Sequence, residues 1–211
     1  MQYRIIPVTP FQQNSSLIWC DNTRQAAIVD PGGEVKRLLG EIEKQGLSLC
    51  SILLTHGHVD HIGGAEELSR LTGVPITGPH QDDAFLFETL PQQCRMFGFP
   101  PLPAFTPERW LSEGNTVRIG DEELSVLHTP GHTPGHIALF SAHARLAWVG
   151  DVLFYSSIGR TDFPRGNHEA LLHSIRRKLW PLGDDVRFIP GHGPMSDFGR
   201  ERRSNPFLAE S

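Results

Sequence analysis

The stretch Ser51-Ile52-Leu53-Leu54-Thr55-His56-Gly57-His58-Val59-Asp60-His61 decides how the rest of the chain is read. Its apolar opening is short enough for a buried strand. The remainder is polar and carries His56, His58, Asp60 and His61, all of them metal-type donors. In an extended backbone, residues two apart project to the same side, so His56 and His58 can meet one cation. Asp60 and His61, on the turning loop, then reach a neighbouring one. A solvated polar loop is the plain alternative, but such a loop has no use for three imidazoles.

One segment cannot complete two cation sites, so further ligands are expected at later strand ends. Thr129-Pro130-Gly131-His132 follows an apolar run at 124–127, Gly150-Asp151 follows 145–149, and Pro190-Gly191-His192-Gly193 follows 186–189. Each places a His or Asp just past a strand, beside a glycine that lets the backbone come close. Ligands at one end of successive strands converge on one crevice, the usual place for sites in α/β architectures.

Working outward, residues 4–8, 16–20 and 26–29 are apolar runs between turn residues, a meander stopped by Asp30-Pro31-Gly32-Gly33. Val35, Leu38, Leu39 and Ile42 recur at helical spacing before Gly46. A second helix is expected around 65–71 and a strand at 75–77. The middle, roughly 80–110, holds Phe85, Phe87, Phe97, Phe99 and Phe105 among prolines. It reads as a short helix plus a loop over the core edge, either beside the site or as a structural cover. Strands return at 116–119, 124–127, 137–140 and 145–149. Leu171, Leu172, Ile175 and Leu179 then share a helical face with Asn167 as its cap, and a last strand falls at 186–189. Meanders mixed with helical units favour two sheets sandwiched between helices. No linker or low-complexity run interrupts residues 1–211, which are read as one domain.

Composition narrows the class. The chain has 211 residues, 38% of them apolar and 20% charged, which excludes disorder and gives no span-length apolar run. Nineteen basic against 24 acidic residues give a net charge of −5, so neither a nucleic-acid nor a membrane partner is expected. Cys20, Cys50 and Cys94 are odd in number and far apart, so a disulfide framework is not expected. With no signal-peptide pattern at the start, the expected location is the cytoplasm. Nothing in the residues sets an oligomeric state. The 11 histidines ask for a chemical reason.

His-x-His-x-Asp-His followed in order by His132, Asp151 and His192 resembles the signature of the metallo-β-lactamase superfamily, over nearly the whole chain from Asp30. The resemblance implies an α/β fold, a four-layer αβ/βα sandwich with a two-metal site at one edge. It assigns His56, His58 and His132 to one metal, Asp60, His61 and His192 to the other, and Asp151 to both. Such N/O donors suit zinc first, with iron or manganese also compatible. Two dications against two carboxylates leave the site positive, favouring an anionic substrate. The implied nucleophile is a hydroxide bridging the metals, with Asp60 and Asp151 as the catalytic carboxylates and no Ser or Cys required. No general acid stands out, which suits a leaving group that departs as an anion, such as a thiolate, and hence a thioester.

Within the superfamily, the free Asp60-His61 pair, and Asp151 where one class of β-lactamases carries Cys, point away from lactam hydrolysis. The chain more closely resembles glyoxalase II, the hydroxyacylglutathione hydrolases, in particular the short bacterial ones. Their implied substrate is S-D-lactoylglutathione. The run Ser157-Ile158-Gly159-Arg160-Thr161-Asp162-Phe163 resembles the segment that places a basic residue on glutathione, which makes Arg160 the candidate contact. A surface ion pair is the other reading of Arg160. Asp162 stands where an aromatic contact is expected. Because His192 lies 19 residues from the end, the family's C-terminal helical glutathione-binding domain is expected to be absent. The rival reading is a persulfide dioxygenase with one Fe(II) held by two His and one Asp, since those enzymes share the Gly-Arg-Thr-Asp-Phe run. His128 and His136 either support a ligand or are ordinary structural side chains. His80, His143, His168 and His173 have no motif around them. Asp30 is either a brace for the site loops or a plain turn residue.

Overall fold

Strands that alternate apolar side chains on both faces need a cover on each side. In the computed structural model, which describes residues 1–208, the first five strands are β1 (Gln2–Val8), β2 (Gln13–Trp19), β3 (Gln25–Val29), β4 (Ser48–Leu53) and β5 (Ile76–Thr77). They lie side by side in that order. The next are β6 (Thr116–Ile119), β7 (Glu122–His128), β8 (Ile137–Ser141) and β9 (Leu146–Gly150). After them come a small hairpin of β10 (Leu153–Phe154) and β11 (Ser157–Ile158), then β12 (Arg187–Pro190) and β13 (Ser196–Asp197). The second sheet has the order β13-β12-β9-β8-β7-β6. The β3/β4, β4/β5 and β9/β12 pairs are parallel, and a parallel pair requires a crossover connection.

The crossovers are helical. They comprise α1 (Val35–Lys44), α2 (Val59–Ile62) and α3 (Ala65–Thr72) for the first sheet, while α4 (Ala84–Glu88) and α5 (Leu90–Phe97) lead from β5 to β6 of the second sheet. Later come α6 (His168–Ser174) and α7 (Phe198–Ser204). Asn167 caps α6 as expected, its Oδ1 accepting from the Ala170 N–H at 3.0 Å. A π-helical turn at Ile175–Leu179 extends α6, and Leu171, Ile175 and Leu179 all stay in the core.

Period two in β3 sorts the layers. Ala26 and Ile28 cluster with Leu38, Ile42 and Leu68 of α1 and α3, whereas Ala27 and Val29 cluster with Leu139, Trp148 and Ile189 of the other sheet. Ala147 and Val149 of β9 face the opposite way, joining Leu171, Ile175 and Phe198. The order helices, sheet, sheet, helices is the expected sandwich. Among the described residues no helix is long and apolar enough to cross a membrane, and all three cysteines are free thiols.

Five elements carry no sequence signal. α2, the β10–β11 hairpin and β13 are too short for periodicity to register. α7 reads Phe-Gly-Arg-Glu-Arg-Arg-Ser, with one apolar side chain, Phe198, to bury. The region 80–110 is more helical than a short helix plus a loop. It holds α4, α5 and a 3₁₀ turn at Gln81–Asp83, and Phe87 is buried edge-on against Phe105 and Trp110 at 5.1 and 5.3 Å.

Candidate metal centre

All seven proposed ligands come together where β4, β7, β9 and β12 end. His58 Nδ1 lies 3.1 Å from His56 Nε2 and 3.0 Å from His132 Nε2. His61 Nε2 lies 3.7 Å from Asp60 Oδ2 and 3.4 Å from Asp151 Oδ1, and His192 Nε2 lies 3.2 Å from Asp60 Oδ2. Asp151 sits between the groups, its Oδ2 3.6 Å from both His132 Nε2 and His192 Nε2. The backbone comes so close at Gly191 that an added Cβ would stand 2.0 Å from Asp151 Oδ1.

Hydrogen bonds fix which ring nitrogen faces the centre. The Thr55 hydroxyl donates to Asp30 Oδ2 at 2.6 Å, so its oxygen is left to accept from His56 Nδ1 at 3.1 Å. His61 Nδ1 donates to Asp30 Oδ2 at 2.9 Å, His132 Nδ1 to the Arg160 carbonyl at 2.8 Å, and His192 Nδ1 to the Phe11 carbonyl at 3.1 Å. Each of these turns Nε2 inward, where it offers a lone pair to a cation once any proton on it has left. His61 Nε2 and Asp151 Oδ1 are buried with no hydrogen-bond partner at all, a cost a bound cation removes. The donor set therefore fits metal ions.

Asp30 is a brace and not merely a turn residue. It is buried at φ 50°, and its carboxylate takes the Thr55 N–H at 2.7 Å as well as the Thr55 hydroxyl and His61. His136 supports a ligand: fully buried, its Nε2 accepts the Asp151 N–H at 3.0 Å while Nδ1 donates to Thr129 Oγ1 at 3.1 Å. His128 stands apart, stacked on His80 at 4.2 Å. His143, His168 and His173 are exposed.

Other supports have no motif. Asp83, buried in the 3₁₀ turn, accepts from Gly57 N at 2.9 Å, Gly135 N at 2.6 Å and Thr133 Oγ1 at 2.8 Å, tying two ligand loops together. Burial pushes its carboxyl up to about 7 against the pull of these donors. Gln93 of α5 accepts the Val59 N–H and donates to the Gly57 carbonyl. Asn14 of β2 donates to the Pro190 and Gly193 carbonyls around His192.

Electrostatically the centre has two halves. Burial, then the neighbouring imidazoles, lower His56, and His58 is pushed down to about 3 by burial and His132. Burial also lowers His132. Burial pulls the same way on His61, but Asp151 and Asp60 outweigh it and hold that imidazole well above its usual value. His192 is raised too, burial being overcome by Asp60 and Asp151. Despite burial, His61 and then His132 and His192 hold Asp151 well below the usual carboxylate range.

A cavity of about 590 Å³ opens onto the centre. Arg160 lines it, exposed, with Nε and NH2 on the Asp162 carboxylate at 2.9 and 2.7 Å and its guanidinium 4.6 Å from the Phe163 ring. Both readings of Arg160 thus meet in one side chain, an ion-pair partner that also faces the cavity.

Histidine and aspartate donors gathered at one edge of two sheets between helices make this a metallo-β-lactamase-type site. The chain belongs to the metallo-beta-lactamase superfamily, whose family model matches residues 8–192. It is 53% identical over 209 residues to a Haemophilus influenzae protein named hydroxyacylglutathione hydrolase GloC, covering 99% of this chain and 98% of that one. Among solved structures, it resembles BLEG-1, called a B3 metallo-beta-lactamase, with TM-score 0.92 and 34% identity over 99% of this chain and all of that one. It also resembles TTHA1623, solved in a di-iron-bound form, with TM-score 0.89 and 36% identity over 97% of this chain and 100% of that one.

Proposed function

We propose that the chain acts as a single catalytic domain, a binuclear metallohydrolase that cleaves the thioester of S-D-lactoylglutathione with water to give lactate and glutathione. The full-length 53% identity to a hydroxyacylglutathione hydrolase carries this reading, and the convergence of seven donors supports it. His56, His58 and His132 would hold one divalent cation and Asp60, His61 and His192 the other, with Asp151 shared. Zinc is the metal this N/O donor set fits first, and the di-iron-bound relative makes iron the competitor. When bound, such a pair lowers the pKa of a water towards ~7 and polarises a carbonyl.

The chain's own side chains do the rest. Asp60, facing His192 across 3.2 Å, is placed to orient the attacking water. His136 and Asp30 hold Asp151 and His61 so that their donor atoms do not turn away. Glutathione leaves as a thiolate, with a reference thiol pKa near ~8.5, so no protonated side chain is needed at the leaving sulfur. Arg160 offers its guanidinium to a glutathione carboxylate. The substrate is a small anionic thioester, and no nucleic acid or membrane enters the reading. Three free thiols fit a reducing cytoplasm.

Metal analysis paired with three assays tests this. About two metals per chain with hydrolysis of S-D-lactoylglutathione is the expected result. Oxygen consumption with glutathione persulfide at one iron per chain would establish the dioxygenase instead, and β-lactam hydrolysis without thioester hydrolysis would establish a lactamase.

A further inference from the structure

The walls of the cavity over the metal centre are chemically lopsided. On the His58 and His132 flank stands Phe163, its ring 4.9 Å from His58 and 5.6 Å from His132, beside Arg160. Arg160 is the one Lys or Arg among the lining residues. The His192 flank is aromatic. Phe154 lies 6.3 Å from the His192 ring, and Phe11, whose carbonyl anchors His192, meets Phe97 edge-on at 6.4 Å. Phe99 stacks behind Phe11 at 5.6 Å and backs that wall. Phe11 and Phe97 are 46% and 36% exposed, so apolar surface is presented to whatever enters, while the Tyr155 ring, at the edge of this flank, carries the Arg200 guanidinium 3.6 Å from its centroid.

These two flanks cannot serve the same part of a thioester. The charged glutathionyl part requires polar partners, and placing carboxylates against Phe11 and Phe97 would strip their water without return. It therefore lies toward Arg160. The acyl group, across the scissile bond, then falls on the Phe11–Phe97–Phe154–Tyr155 wall. A lactoyl methyl leaves most of that wall wet, whereas a ring-sized acyl group covers it.

We propose that this aromatic wall is an acyl-selecting subsite, and that the enzyme favours glutathione thioesters of bulky apolar, aromatic 2-hydroxy acids over the lactoyl thioester. The proposal rests on the thioesterase reading and extends it to the acyl group.

Two measurements keep the two claims apart. Calorimetry on the metal-loaded protein compares S-benzylglutathione with S-methylglutathione, neither of which can be hydrolysed. The benzyl compound is expected to bind at least about tenfold more tightly, the scale on which an apolar pocket reads small size differences. Phe11→Ala and Phe97→Ala should each shrink that ratio, Phe97→Ala with metal content at the wild-type value. Kinetics then compares S-mandeloylglutathione with S-D-lactoylglutathione, which differ by a phenyl in place of a methyl, and kcat/KM is expected to favour the mandeloyl compound. Equal binding of the benzyl and methyl compounds, or a ratio unmoved in both variants, overturns the subsite. Tight benzyl binding without turnover of either thioester sustains the subsite and overturns the hydrolase reading.

Discussion

The two halves of the metal centre both rest on histidines, three in one and two with Asp60 in the other, and those histidines behave as opposites. His56, His58 and His132 face one another without a carboxylate of their own, and burial keeps them neutral. His61 and His192 face Asp60 and Asp151, which pull protons onto them. The first half is thus ready for a cation as it stands, while the second must release protons to accept one. Exposure does not divide along that line, since His56 and His61 are both fully buried while His58 and His192 are partly exposed. Imidazoles from one loop become part of a neutral cradle or of a charged cluster according to which of them the fold sets against the Asp60 and Asp151 carboxylates.

Removing Asp151, which the halves share, or His132, which stands beside it, should have the largest effect. Asp151→Ala and His132→Ala are expected to lose bound metal and to reduce thioester hydrolysis to background. An Asp151→Ala protein with normal activity would sink the ligand assignment. His192→Ala should instead separate the halves, retaining about one metal per chain by elemental analysis while turnover collapses. If it loses both ions together, the halves are a single cooperative site.

A more selective probe is Asp30→Asn, which weakens the acceptor that His61 leans on. Loss of such an outer support typically costs 10–100-fold in metal affinity. The loss should fall on the second ion, as read by chelator competition. Acid should discriminate the same way. Raised His61 and His192 values mean that protons compete for the second half as pH falls through neutrality, while the lowered His56, His58 and His132 stay neutral. Dialysis at steps between about pH 8 and 5 should therefore strip one ion before the other. Simultaneous release would contradict the asymmetry. The smallest effect is expected at Arg160→Ala. This exposed side chain is already partnered by Asp162, so KM should rise a few-fold with kcat nearly unchanged.

Most of the centre was legible because its ligands are dense in sequence or stand directly after apolar runs, and because Asn167 and the α6 face obey local rules. Asp83, Gln93 and Asn14 were not legible. Each acts on residues 26 to 179 positions away through two or three hydrogen bonds, and no spacing rule marks a lone polar residue in a turn, helix or strand as the keeper of a distant loop. His136 lay inside a visible motif, yet its role depends on the Asp151 N–H that β9 brings alongside it.

By itself the sequence determined the strand-and-helix alternation, the ligand types and the loops that carry them, since these rest on periodicity and on donor chemistry within a few residues. Only the tertiary structure decided which imidazole stays neutral, which nitrogen points inward, and that an aromatic wall faces Arg160 across the cavity. Those properties depend on burial and on partners far along the chain, and both arise only once the two sheets have closed on each other.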